Sequence, residues 1–226
     1  MGAAWERGHA RRQLLIYSGL AAGVASLAAV AFAINERSLR HLAVVSQPLL
    51  IVFGSALGGL ALLAAPLRAG GFVVAGPDSV VGLLRASVLA VLFGAVVIVA
   101  DLSLVFPADM NVAFPESLLA YPAIALVVEV GFHLGPLSLV PRGVRTRSLV
   151  FAAVAMLEPA YQLLEPSARA SGWRFGFVAI HVFVFNVAQL ALFRRHGFIC
   201  MYALRLLYYL VWHVAWGHLR LQILFS

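Results

Sequence analysis

The sequence predicts an all-α, polytopic transmembrane bundle of seven helices, or eight if a break divides the last long segment. Two observations carry this. Of 226 residues, 63% are hydrophobic and only 11% charged, with a mean hydropathy of +0.97, whereas a soluble domain is roughly one quarter charged. Apolar runs also recur along the chain at the length of about 20 residues that crosses a hydrocarbon core as a helix. In order, the segments fall near 13–34, 42–65, 80–106, 117–140, 147–165, 173–194 and 197–222. The first follows Arg11 and Arg12 but is longer than a signal-peptide core and rich in small residues throughout, so it reads as a retained helix. The first two segments carry Gly19, Gly23, Ser26, Ser55, Gly58 and Gly59 and no ionisable group at mid-span, which suits close helix packing. The longest break, Pro66 to Ser79, holds Gly70, Gly71, Gly76 and Pro77 and is too short for a second domain, so residues 1–226 form one domain.

The basic residues are 16 arginines and no lysine. That excludes retinal bound as a lysine Schiff base and a Walker-type phosphate loop. One cysteine, Cys200, permits neither an internal disulfide nor a CxxC metal site. The net charge of +7 comes from arginines at the ends of apolar runs, which reads as topology signalling, and no nucleic acid is expected. On a seven-helix plan the N-terminal side holds nine arginines (7, 11, 12, 68, 142, 145, 147, 194, 195) and the other side five (37, 40, 169, 174, 220), with Arg85 and Arg205 inside helices. The excess predicts an inner (plasma) membrane protein with a cytoplasmic N terminus.

An ionisable side chain at bilayer depth costs about 2.5–3.5 kcal/mol on insertion scales, so each needs a partner or a task. Arg85 and Asp101 sit toward opposite ends of the third segment and are read as reaching the interfaces. The remaining polar groups concentrate in 117–222. Glu129 and His133, four apart, share one face of the fourth segment, where they can bind one metal, share one proton or form a structural pair. The fifth carries Glu158 with Tyr161 and Gln162 one turn on, and Pro159 to distort the helix. The sixth carries His181, Asn186 and Gln189, and the seventh Arg205, Tyr209, His213 and His218; Arg205 can pair with Glu158 or a substrate carboxylate, or equally reach the interface. Glutamate and histidine at a common depth suit two tasks. A carboxylate can take a proton from water while imidazoles stabilise the developing oxyanion, or the set can hold a divalent metal.

Residues 190–217, LALFRRHGFICMYALRLLYYLVWHVAWG, resemble an element of the CPBP family: an apolar helix, an arginine-containing turn, a glycine, then a helix ending in HxxxN. The family comprises the CAAX prenyl proteases and bacteriocin-processing enzymes, glutamate-dependent intramembrane endopeptidases. Gly197 takes the turn and His213 the histidine, while Gly217 stands at the asparagine position, so that oxyanion donor is absent or supplied elsewhere. Two registers fit the family's other motifs, EExxxR and FxxxH. In one, Glu129, Val130 and His133 stand for the glutamate motif, which keeps the family's helix order but leaves no arginine and puts Phe151 to Ala155 at the second motif without its histidine. In the other, Glu158 and Tyr161 stand for the glutamate motif and Phe177 to His181 matches FxxxH as written, at the loss of one helix before His213. Topology favours the first register; the chemistry keeps Glu158 and His181 as candidates.

The resemblance implies an intramembrane endopeptidase acting on a membrane-anchored polypeptide. Its catalytic candidates are Glu129, His133, Glu158, His181 and His213, supported by Gln162, Asn186, Arg205 and Tyr209. A glutamate mechanism needs no cofactor; a divalent metal, if used, would take Glu129, His133, His181 and His213. The alternatives are a non-catalytic scaffold or transporter, in which Glu129 and His133 form a proton relay or structural pair, and a haem protein ligated by His181 and His213. Oligomeric state is not legible.

Overall fold

The computed structural model describes residues 2–42, 47–68, 72–141, 148–162, 164 and 173–225, with the side chains of 2–7, 65–68 and 173–175 not included. The described residues are helical, with no strand among them. We label the rods α1 (Gly2–Ile34), α2 (Pro48–Arg68), α3 (Ser79–Leu104), α4 (Glu116–Leu139), α5 (Ser148–Gln162), α6 (Trp173–His196) and α7 (Phe198–Leu224). Short 3₁₀ turns, Glu36–Leu42 and Ala108–Met110, follow α1 and α3. Five rods are long and apolar enough to cross a membrane: α1 from Gly8, α3, α4, α6 from Gly176, and α7. The expected count of seven spans is therefore not confirmed; α2 contributes a shorter apolar stretch, Pro48–Ala64, and α5 has 15 residues. Most exposed side chains along α3, among them Leu84 at 65% and Val99 at 64%, are apolar. Together these are the marks of an integral membrane protein.

Local chemistry explains the helix ends. Pro48, whose missing N–H is no loss in a first turn, begins α2. At the end of α3, Val105 adopts the left-handed region at φ 48°, unfavourable for a β-branched residue, and Pro107 follows. That turn is held from within α3: Asp101 Oδ1 accepts the Phe106 N–H at 2.8 Å. The break between α6 and α7 is Gly197 at φ 93°, where an added Cβ would stand 2.7 Å from the Val73 carbonyl oxygen. The strap 72–76 runs beside this turn. Val73 and Val74 carbonyls accept the N–H groups of Phe198 and Ile199 at 3.0 and 2.9 Å, and Gln13 of α1 bonds the backbone of Val74 and Ala75. Both α4 and α7 pass through a wider, π-helical stretch, Glu129–Leu134 and Leu210–Trp216, and such turns recur at functional sites.

The small residues of α1 and α2 are only partly a close-packing device. A Cβ at Gly59 would overlap the Tyr17 hydroxyl, whereas Gly19, Gly23 and Gly58 face open space. The two helices instead border an apolar groove of about 440 Å³ lined by Tyr17, Ala21, Ala25 and Leu57.

Asp101 corrects the expectation that it reaches an interface. It is fully buried and paired with Arg220, also fully buried, whose Nε donates to Oδ2 at 2.6 Å and Nη2 to Oδ1 at 2.8 Å. Trp216 Nε1 donates to the same carboxylate at 2.7 Å, and Arg220 caps the carbonyls of Phe106 and Pro107. Arg220 is therefore a structural partner of α3, not a loop charge. Arg85, by contrast, is exposed. Of the other arginines in the topology count, Arg142, Arg145, Arg147 and Arg169 lie outside the described residues.

Candidate functional site

The polar residues of α4 to α7 converge on Arg205. Its position on α7, between apolar Leu204 and Leu206, carries it into the bundle at 2% exposure. The guanidinium Nε donates to Glu129 Oε1 of α4. Nη1 and Nη2 form a bidentate pair with Glu158 of α5, at 3.0 Å to Oε1 and 2.7 Å to Oε2. Nη2 also reaches Asn186 Oδ1 at 3.1 Å and Gln189 Oε1 at 2.8 Å on α6, and Nη1 the Tyr209 hydroxyl at 3.3 Å. A planar fork with five N–H donors suits this task, and a lysine would leave most of the acceptors unmet.

Glu129 has little capacity to spare. Its Oε1 accepts from Arg205 and from Gln189 Nε2, and its Oε2 lies 2.6 Å from His133 Nδ1, so that nitrogen carries the hydrogen it donates. Both residues are fully buried. The i, i+4 spacing on α4 does bring the pair into contact, as the sequence reading requires. His133 Nε2 is buried and has no partner among the described residues.

Glu158 differs from Glu129 in what lies beside it. With Gln162, His181, Arg205, Tyr208, Tyr209 and His213 it borders a partly open cavity of about 140 Å³, which neither Glu129 nor His133 lines. At a share of about 30 Å³ per molecule that volume holds a few waters. A carboxylate offers about four lone-pair positions, and among the described residues Arg205 occupies two of those on Glu158, leaving two.

The histidines of α6 and α7 do not join the arginine network. His213 Nδ1 donates to Asn111 Oδ1 at 2.6 Å, and its ring stacks on Tyr121 at 4.8 Å between centroids. His181 is 8% exposed, with Nε2 3.3 Å from the Tyr208 hydroxyl and its ring against Phe93 and Phe177. Whichever of the two donates across that contact, the pair keeps one further polar hydrogen. His218 is exposed and lies against Phe114 at 5.8 Å.

Glu129, His133, Glu158, Asn186, Arg205 and Tyr209 thus belong to one hydrogen-bonded network, while Glu158, His181, His213 and Gln162 share one cavity. Gln162 Oε1 is buried without a partner among the described residues. The expected metal set does not assemble. Among the described residues no three His, Cys, Asp or Glu side chains come close enough to hold one ion. Glu129 and His133 are turned to Arg205 and Gln189, away from His181 and His213. His181 and His213 line the same cavity of about 140 Å³.

Asn111 is the residue that sequence reasoning missed. It lies in the turn after α3, and a Cβ on Gly217 would stand 2.8 Å from its Nδ2. The missing side chain at 217 is what admits the Asn111 amide beside His213. The signal for it was the glycine in place of an expected asparagine, which left open where the amide came from.

No family model matches the chain, nor does any curated protein or solved structure.

Proposed function

We propose that this protein is an intramembrane endopeptidase of the CPBP type, in which Glu158 takes the proton from a water held in the cavity between α5, α6 and α7. One observation carries the reading: Glu158 is the glutamate that shares a cavity with both His181 and His213. This reverses the preference between the two registers, because Glu129 already accepts from Arg205, Gln189 and His133 and does not line the cavity. In this scheme Arg205 and Tyr209 fix the carboxylate, His213 is oriented through Nδ1 by Asn111, and the His181–Tyr208 pair donates to the oxyanion that forms as water attacks a carbonyl. The substrate is a membrane-anchored polypeptide, which reaches this depth from within the bilayer.

The test is hydrolysis of two fluorogenic probes by the purified protein in lipid, one a peptide with a prenylated C-terminal cysteine and one a single transmembrane segment. Glu158→Gln is expected to reduce turnover by about 10²–10⁴-fold while the thermal midpoint is followed in parallel. Turnover unchanged in Glu158→Gln but abolished in Glu129→Gln would return the site to the first register. No turnover of either probe by the wild-type protein would leave the second reading, a non-catalytic scaffold braced by Arg205, which the buried bonds of Glu129 to Arg205, Gln189 and His133 favour.

The same reading includes a seven-helix arrangement with a cytoplasmic N terminus. What supports it is that Glu158 of α5 is bonded to Arg205, which also meets α4 and α6, and that setting Arg220 aside leaves nine arginines on the N-terminal side against four on the other. Alkaline phosphatase fused after Ser226 is expected to be active outside the cell. An inactive fusion, with a cytoplasmic reporter active in its place, would mean an even number of spans.

A further inference from the structure

A groove of about 600 Å³ runs between α3 and α6 on the outside of the bundle, apart from the polar network. Along most of its length it is apolar, lined by Leu84, Val88, Leu89, Ala188 and Leu192. At one end stand Arg85, in the second turn of α3, and Arg195, in the last turn of α6. Both are exposed, and neither has a carboxylate partner among the described residues. His196 Nε2 lies 3.1 Å from Arg85 Nη1 and accepts from it, so this imidazole aims the guanidinium without neutralising it.

Two uncompensated guanidiniums at the head of an apolar channel on a lipid-facing surface match the chemistry of an anionic amphiphile. We propose that this groove binds an anionic phospholipid, its phosphate on Arg85 and Arg195 and an acyl chain along Val88, Leu89, Ala188 and Leu192. The position along the helices fits. Arg85 is six residues from the start of α3, about 9 Å at 1.5 Å per residue, and Arg195 is one residue from the end of α6, so both heads reach headgroup level. The strap bonded to Gln13 and to the α6–α7 turn brings Arg11 and Arg12 to the same end of the bundle, but neither lines the groove. A basic pocket between transmembrane helices is a recurrent site for such headgroups.

The protein is reconstituted in phosphatidylcholine discs containing a minor fraction of phosphatidylglycerol, extracted into detergent, and examined by native mass spectrometry. The wild type is expected to retain phosphatidylglycerol in preference to phosphatidylcholine. Arg85→Gln with Arg195→Gln should weaken retention roughly thirty-fold, about fivefold for each arginine near the surface. Ala191→Trp, which fills the exposed wall of the groove and alters no charge, should also reduce it. Arg11→Gln with Arg12→Gln changes the same charge at the same end and should leave retention as in the wild type. Four results would overturn the proposal: retention unchanged in Arg85→Gln with Arg195→Gln, an equal loss in the Arg11 and Arg12 variant, equal retention of phosphatidylcholine, or displacement by inorganic phosphate alone, which would make this a free-anion site.

Discussion

Replacing Arg205 by methionine is expected to be the most damaging single change in the protein. Methionine retains much of the apolar stem, so the loss is the charge and its hydrogen bonds, not volume. Glu129 and Glu158 would then face one another across the bundle with no cation between them. Asn186 Oδ1 would lose its partner as well, and Gln189 Oε1 likewise. Removing one member of a buried ion pair costs about 3–5 kcal/mol, and here two carboxylates depend on the same guanidinium. Denaturation followed by circular dichroism in detergent should show the midpoint collapse or the protein fail to accumulate. Adding Glu129→Gln and Glu158→Gln to Arg205→Met removes both charges and should recover most of the loss. A wild-type midpoint for Arg205→Met alone would mean that the network does not hold the helices, and both the catalytic and the scaffold readings would have to be rebuilt.

The second large effect belongs to Asp101 and Arg220. Each single change, Asp101→Leu or Arg220→Leu, leaves a buried charge uncompensated, at about 3–5 kcal/mol. Substituting apolar residues for both partners often restores stability elsewhere, but it is not expected to do so here. Asp101 also accepts from Trp216 and from the Phe106 N–H that steadies the left-handed Val105 turn, and Arg220 also caps two carbonyls. The double variant strands these groups, each at about 1–3 kcal/mol when buried. A double-mutant cycle on thermal unfolding is expected to give strong coupling with a double variant still well below the wild type. A double variant as stable as the wild type would show that the satellite bonds carry nothing.

The helical class and the approximate position of each segment were legible because apolar length and polar breaks act locally. The N-terminal limit of α1 was not. Arginine is a good helix former, so Arg11 and Arg12 mark where a membrane begins without ending the helix, which starts at Gly2. Glu129 and His133 were legible as a pair since four-residue spacing on one helix settles proximity. Arg205 as the hub was not, because an arginine in an apolar helix reads equally well as a group reaching for the interface. Only the meeting of α4, α5, α6 and α7 turns it into a shared partner. Asp101 was misread for the same reason: its partner is 119 residues away. The pairing of His213 with Asn111 spans 102 residues, and no spacing rule reaches across that distance.

The π-helical stretches in α4 and α7 have a consequence for how these two helices tolerate change. An extra residue in a turn rotates everything beyond it by roughly 100° relative to an unbroken α-helix. The two ends of α4 are therefore out of phase. Tyr121, stacked on His213 and packed against Tyr209, and Leu137, buried at the far end, lie on opposite sides of the offset. In α7 the same holds for Arg205 on one side of the wide turn and Arg220 on the other. Deleting one residue inside either stretch would give a more regular helix and swing one of its anchors off its partner. Chain length within the two helices is thus as constrained as residue identity, and indels are expected to be confined to the connections between helices.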